Sequence, residues 1–250
     1  MSAHGSNRFN RRQWLASALI AGAGASVASA QPIASTAEPV RRLTPPSGPI
    51  PTAVLLDDRA AVIDFAGPWE ALQDAGAANV PGFDLYTVGP TLEPITVSAG
   101  MRIVPKYSLA NAPAPKVVVI GAQAGSRQSG PTTQAKVEWL RHVALEADVV
   151  MSICTGAFLL ARTGLIDGLL STTHHDFYDD FAQQFPNVTL VRNRRFVDNG
   201  KFVSGGGLTS GVDAALHIMA RYYGREAAQS SATYMEHHSD GWISGIQSTG

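Results

Sequence analysis

The sequence predicts an α/β fold: a three-layer sandwich with a mostly parallel central sheet and a nucleophile elbow. Strand-like and helix-like segments alternate along the chain, which is typical of a parallel sheet covered by helices. The run Val117–Ile120 is continuously apolar and β-branched, as in a strand buried on both faces, and a second apolar strand is predicted at Val149–Ile153. The second run passes through small residues directly into a predicted helix, which is the pattern of the elbow.

The elements follow in order from apolar runs bounded by turn residues. The first helix is placed from residue 67 because Pro68 suits a first helical turn. Strands are predicted at residues 53–56, 83–88, 102–104, 117–120, 149–153, 188–191, 195–197 and 202–204. Helices are predicted at residues 67–75, 133–146, 155–162, 176–184, 210–223 and 225–238.

Composition limits the classes of protein that the chain can represent. Apolar residues make up 45% and charged residues 16% of the 250 residues, as in a globular protein. The net charge of −1 argues against a general electrostatic grip on nucleic acid or on an anionic membrane. Cys154 is the one cysteine, which excludes an internal disulfide and a zinc site built from several thiolates.

Residues 1–30 are predicted to be an export signal of the twin-arginine type, cleaved after Ala30. Arg11 and Arg12 precede an uncharged run at 15–27, which ends in an A-x-A pattern and is too short to span a bilayer stably. The alternative, an amphipathic helix, is disfavoured by the glycines of the run. We therefore expect a periplasmic or otherwise exported protein, with no membrane contact after signal removal.

The remaining chain divides into three parts. Residues 31–50 are rich in proline and predict an extended linker that adds nothing to the core. Residues 51–240 hold the alternating pattern and predict one α/β domain. Residues 241–250 are predicted to be a C-terminal tail.

Cys154 lies where the predicted strand Val149–Ile153 gives way to a helix. Gly156 allows a sharp turn, and the helix N-terminus is expected to lower the pKa of the thiol. The backbone amide of Thr155 and one from the turn at Gly121 are candidates for stabilising negative charge on a substrate. On position alone, Cys154 is as readily a small buried apolar residue as a nucleophile.

Several segments resemble the ThiJ/PfpI superfamily, whose fold is the class I glutamine-amidotransferase-like sandwich. The similarity covers about residues 51–240. It points to the branch that holds isonitrile hydratase and the amidase-like domains of certain AraC-type regulators. Because those regulators continue into a helix-turn-helix module and this sequence ends at Gly250, we expect no transcriptional role. The matching segments are residues 152–157, 164–168, 171–174, 63–70 and 203–213.

The resemblance implies catalytic roles for Cys154, Thr155 and Asp64, with Asp64 exchanging a proton with the thiol or orienting water. The alternative for Asp64 is an N-terminal helix cap. Gly121, Ala122 and Thr155 are predicted to form the substrate or oxyanion region. Ala122 stands where the family often has a second glycine, and its methyl group is expected to narrow or redirect that region.

His174 is a further catalytic candidate because relatives with hydrolase or glyoxalase-like activity pair their cysteine with a histidine near this position. A structural, hydrogen-bonded histidine is the alternative. His175 and Asp176, and the segment 236–238, contain residue types that bind metals, but they are predicted to be solvated surface residues.

The sequence therefore predicts a cysteine-dependent hydro-lyase that adds water to an isonitrile and releases an N-substituted formamide. No cofactor and no metal are expected, the partner is a small-molecule substrate, and the chain is predicted to form a homodimer. One alternative is an amide hydrolase or glyoxalase-like enzyme that uses Cys154 and His174. The other is a non-catalytic ligand or redox sensor.

Overall fold

The computed structural model describes residues 41–243 and 245–247; the predicted export signal and residues 31–40 of the predicted linker lie outside this part. Among the described helices, none has the length and apolarity that crossing a bilayer requires. The strands are β1 (Ile50–Leu55), β2 (Phe83–Gly89), β3 (Ile95–Thr96), β4 (Arg102–Ile103), β5 (Tyr107–Ser108), β6 (Val117–Ile120), β7 (Val149–Ile153), β8 (Leu170–Ser171), β9 (Thr189–Leu190), β10 (Phe196–Asp198), β11 (Phe202–Gly205) and β12 (Ile246–Gln247). The α-helices are α1 (Val62–Gln73), α2 (Pro131–Val143), α3 (Gly156–Arg162), α4 (Tyr178–Gln184), α5 (Ser210–Tyr223) and α6 (Arg225–Tyr234).

The predicted fold class is confirmed. Eight strands form the main sheet in the order β12-β10-β11-β7-β6-β1-β2-β5, and the pairing is parallel except between β10 and β11. The strand β7 lies between β6 and β11. Because ligands of open parallel sheets bind at the carboxyl ends of the strands, the end of β7 is the expected place for a site.

Two apolar layers cover the sheet, one on each face. Residues of α1, α5 and α6 pack on one face, where Met151 and Ile153 of β7 are buried. Residues of α2, α3 and α4 pack on the other face, which takes Val150 from the same strand. Because successive side chains of β7 enter apolar layers on opposite faces of the sheet, its sequence is apolar at four of its five positions.

The first helix begins earlier than predicted. It spans Val62–Gln73, so Pro68 lies inside it rather than in its first turn. Proline has no backbone N–H, and Pro68 therefore cannot donate to the carbonyl of Asp64 four residues before it. Asp64 lies in the first turn, whereas the cap position belongs to Ala61, without a capping side chain. The alternative interpretation of Asp64 as the helix cap is therefore wrong.

Both ends of the described chain pack on the folded domain. The sequence pattern predicts instead an extended linker at residues 31–50 and a tail at residues 241–250. Leu43 packs against the core, and its N–H donates to the carbonyl of Arg221 at the end of α5, at 2.8 Å. Trp242 is buried in the same core, and β12 extends the sheet beside β10. The proline content of the first segment and the short length of the second gave no indication that Leu43 and Trp242 pack against the core.

Candidate active site

The turn after β7 forms a strained elbow at Cys154. The residue adopts a φ of +55°, a left-handed conformation that is costly for a residue with a side chain. Two residues later, a Cβ atom on Gly156 would overlap the carbonyl oxygen of Ile120. Glycine at this position therefore lets α3 start close against β6, with the thiol at the carboxyl end of the sheet.

The peptide groups of Cys154 are fixed by two other segments. Its N–H donates to the carbonyl of Gly206 at 2.7 Å, in the loop after β11. Its carbonyl accepts a hydrogen bond from Thr173 Oγ1 at 2.8 Å, in the segment after β8. These contacts lie outside the regular ladders of the sheet and stabilise a conformation that the chain would otherwise leave.

Asp64 reaches the same place from the first turn of α1. The residue is fully buried, and its Oδ2 accepts a hydrogen bond from the backbone N–H of Ala122 at 2.9 Å. In the described residues the other oxygen, Oδ1, is buried without a hydrogen-bond partner. The neighbouring thiol of Cys154 is close enough to lower the pKa of this carboxylate.

Burial and mutual influence set the protonation of the pair. Burial raises the pKa of Asp64 to about 6, although the Ala122 amide and the Cys154 thiol oppose the shift. Burial, followed by the charge of Asp64, raises the pKa of the Cys154 thiol to about 12. At neutral pH the pair therefore holds one proton, on sulfur, and one negative charge, on the carboxylate.

The expectation of a lowered thiol pKa is wrong. The backbone N–H of Thr155 does favour the thiolate, as predicted for the start of a helix. Cys154 is only 6% exposed, however, and the loss of solvation together with the adjacent carboxylate outweighs that amide. At neutral pH Cys154 is therefore a thiol with a carboxylate beside it.

The predicted oxyanion region has a different arrangement from the expected one. The N–H of Ala122 is bound to Asp64, so in this structure it is not a free donor for a substrate. A Cβ on Gly121 would lie 2.8 Å from Cβ of Asp64, so this glycine provides the space that α1 needs to approach the elbow. Thr155 is buried beside the thiol, and its role toward a substrate stays a prediction.

His174 lies near the elbow but is not joined to Cys154 by a hydrogen bond in the part of the chain that the structure describes. Its Nδ1 accepts a hydrogen bond from the backbone N–H of Asp176 at 3.2 Å. Its ring packs so closely on Gly207 that a Cβ there would lie 2.5 Å from the ring. These contacts favour the structural interpretation of His174.

Both groups of candidate metal-binding residues contain a histidine paired with a carboxylate; in the first, His175 Nε2 lies 3.1 Å from Oδ1 of Asp176. Ligand atoms of His174, His175 and Asp176 lie within 4.8 Å of one another. The two imidazole rings are stacked, with centroids 4.4 Å apart and planes 25° apart. In the segment 236–238, His237 Nε2 pairs with the carboxylate of Asp213 at 2.8 Å.

Comparison with known proteins identifies the family of the chain. The profile of the DJ-1/PfpI family matches residues 52–221. The chain belongs to the DJ-1/PfpI family. This DJ-1/PfpI protein is 28% identical to an isonitrile hydratase of Pseudomonas putida over 186 residues, which cover 73% of this chain and 76% of the relative.

Transcriptional regulators are equally similar to this DJ-1/PfpI protein. It is 30% identical to the HTH-type transcriptional regulator GbdR of Pseudomonas aeruginosa over 187 residues, which cover 73% of this chain and 50% of the regulator. The chain thus spans about half the length of that relative. The matched region is the part that enzyme and regulator have in common with it.

Solved structures show the same fold. A THiJ/PfpI family protein from Pseudomonas syringae superposes with a TM-score of 0.65 at 23% identity, covering 77% of each chain. DJ-1beta from Drosophila melanogaster superposes with a TM-score of 0.62 at 21% identity, covering 75% of this chain and 98% of that one. At these identities the likeness concerns the fold alone.

One residue of this DJ-1/PfpI protein at the site was missed by sequence reasoning. Thr173 lies in a segment that the resemblance singled out, yet no role was predicted for it. Its contact with Cys154 joins residues that are 19 positions apart in the chain. In the sequence Thr173 follows a serine and another threonine, a pattern that has many ordinary explanations.

Proposed function

We propose that this protein is a cysteine-dependent hydro-lyase that adds water to an isonitrile. The observation that carries the proposal is the buried pair of Cys154 and Asp64, which holds one transferable proton beside one base. The terminal carbon of an isonitrile accepts both a nucleophile and a proton. A single thiol and a single carboxylate therefore supply everything that the first step consumes.

In the first step, the sulfur of Cys154 attacks the terminal carbon of R–N≡C. Asp64 takes the thiol proton as the S–C bond forms and transfers it to the same carbon. The S–H bond breaks, S–C and C–H bonds form, and the product is the covalent thioimidate R–N=CH–S. Asp64 returns to the carboxylate and is ready to act again.

In the second step, water attacks the carbon of the thioimidate while Asp64 accepts one of its protons. That proton passes to nitrogen, and the C–S bond breaks. The second proton of the water restores the thiol, and the product leaves as R–NH–CHO. The step needs a base near pH 7, which suits a carboxyl whose pKa is raised to about 6.

The same geometry fits amide hydrolysis less well. Hydrolysis of an amide builds negative charge on a carbonyl oxygen, and free donors must face that oxygen. The Ala122 amide is bound to Asp64 instead. Addition to the carbon of an isonitrile creates no such oxygen in its first step.

The test is incubation of the protein with cyclohexyl isocyanide, with N-cyclohexylformamide measured by NMR. We expect product from the wild type and none from Cys154→Ala or Asp64→Asn. Asp179→Asn, in which an exposed carboxylate changes in the same way, is the matched control and should keep full turnover. Product from Cys154→Ala would refute the covalent scheme. A wild type that consumes methylglyoxal but no isonitrile would replace the proposed reaction with the glyoxalase-like one.

We further propose that the reaction takes place outside the cytoplasm. The support is the twin-arginine-type pattern at residues 1–30. Cell fractionation tests it: the wild type should appear in the exported fraction, and replacement of Arg11 and Arg12 by lysine should retain the protein inside the cell. The homodimer stays a prediction, which sedimentation velocity would check.

A further inference from the structure

Hydrogen bonds fix both the backbone N–H and the backbone carbonyl of Cys154, the residue at the elbow. With a φ of +55°, Cys154 needs contacts that fix its peptide groups, because the left-handed region is unfavourable for it. Gly206 supplies the acceptor for the N–H through its backbone. The carbonyl accepts a long hydrogen bond from the backbone N–H of Ala157, at 3.4 Å, and a shorter one from the side-chain hydroxyl of Thr173, at 2.8 Å. The shorter bond can be removed by substitution.

Thr173 is itself rigidly placed. It is fully buried and follows the short strand β8. The residue before it, Thr172, donates its backbone N–H to the hydroxyl of Ser204 in β11 at 2.9 Å. The strand β11 also pairs with β7, which carries the elbow, so donor and acceptor are attached to the same part of the sheet.

We propose that Thr173 is a positioning residue that holds the Cys154 carbonyl and thereby keeps the sulfur directed at Asp64. The inference rests on the proposed function in so far as Cys154 is its nucleophile. Rotation of the Cys154 peptide would move the sulfur relative to the carboxylate. Because proton transfer requires hydrogen-bond reach, a small displacement slows both deprotonation and attack.

The chain offers a closely matched control in the adjacent residue. Thr172 is the same residue type and is equally buried. In the described residues its Oγ1 has no hydrogen-bond partner, so its loss removes no contact to the elbow. Thr173→Val and Thr172→Val therefore make the same chemical change at neighbouring positions, and only the first removes the bond to Cys154.

The experiment measures two rates on the intact protein: turnover of cyclohexyl isocyanide, and alkylation by iodoacetamide, which reports Cys154 alone because the chain has one cysteine. For Thr173→Val we expect kcat to fall roughly 10- to 100-fold with little change in KM, and alkylation to slow as well. Thr173→Ser keeps the hydroxyl and should recover most of both rates. Thr172→Val should match the wild type.

Equal rates of turnover and alkylation in Thr173→Val and Thr172→Val would overturn the proposal. A Thr173→Val protein that melts at a lower temperature but keeps both wild-type rates would overturn it as well. If the wild type does not hydrate isonitriles, the proposed function fails, and the alkylation rates still decide the role of Thr173. If Thr173→Val does not fold, Thr173→Ala and Thr172→Ala give the same comparison. Alanine removes the hydroxyl of Thr173 without placing a methyl group against the Cys154 carbonyl.

Discussion

The Cys154 thiol and the Asp64 carboxylate lie together in the buried site, and each shifts the pKa of the other. The carboxylate favours the protonated sulfur, while the thiol favours the ionised carboxylate. A proton shared in this way is retained at rest and moves when a substrate carbon can accept it. The first two predictions below depend on this relationship, the third concerns the elbow that places Cys154, and the fourth concerns a buried ion pair elsewhere in the fold.

Turnover should depend on pH through the Asp64 carboxyl. Its pKa is raised to about 6, mainly by burial, and the proposed mechanism requires the ionised form. We expect kcat/KM for cyclohexyl isocyanide to rise from pH 5 to pH 7 with a midpoint near 6 and then to stay level to pH 9. A midpoint near 4, the ordinary value of an aspartate, would show that a different carboxyl or no carboxyl controls the rate.

Asp64→Asn should be inactive and more stable than the wild type at pH 8. A carboxyl whose pKa is raised in the folded state adds stability below its unfolded pKa, and that stability is lost as the pH rises through about 6. Asparagine does not ionise and still accepts from the Ala122 amide. Urea unfolding should show a gain of roughly 2–3 kcal/mol at pH 8 that shrinks toward pH 4. An equal gain at pH 4 and at pH 8 would mean that the stabilisation does not come from removing the ionisation of Asp64.

Gly156→Ala should damage the elbow. Its Cβ would overlap a backbone carbonyl, which cannot move aside as a flexible side chain can. We expect a loss of roughly 2–4 kcal/mol in unfolding free energy and little turnover. Gly76→Ala is the control, since a Cβ at that glycine meets nothing within 4 Å. Equal stability of the two variants would mean that α3 can shift away from β6 without cost.

Lys136→Met should be strongly destabilising. Lys136 is fully buried, and its Nζ lies 2.6 Å from Oδ2 of Asp57 and 2.6 Å from the carbonyl of Ala124. Removing the lysine leaves the Asp57 carboxylate unpaired, at a cost of about 3–5 kcal/mol in urea unfolding. Arg127→Met, which breaks an exposed pair with Asp180, should cost less than about 1 kcal/mol. Adding Asp57→Leu to Lys136→Met should restore part of the loss; no restoration would contradict the unpaired-charge explanation.

A structural feature can be predicted from the sequence when the residues that cause it lie within a few positions of it in the chain. The bounds of β6, β7 and α5 could be predicted because apolar runs and their bordering turns lie within a few residues. The start of α1 could not, because the rule that favours proline in a first turn was applied to Pro68, which tertiary packing accommodates inside the helix.

The site shows the same limit. Cys154 and Asp64 were predicted from the elbow pattern and from the family resemblance. The direction of the thiol pKa was not, because it depends on how much solvent and which carboxylate reach the sulfur. Thr173 and the engagement of the Ala122 amide depend on contacts between segments distant in the chain, and no local pattern encodes them.

The most direct test of the shared proton is the thiolate absorbance at 240 nm as a function of pH, taken as the difference from Cys154→Ala so that tyrosines cancel. The wild type should show no thiolate between pH 6 and pH 9. In Asp64→Asn, where the charge and the acceptor are removed, the midpoint should fall by at least about one pH unit. The same midpoint in both proteins, or a thiolate in the wild type at pH 7, would contradict the pairing of Cys154 with Asp64.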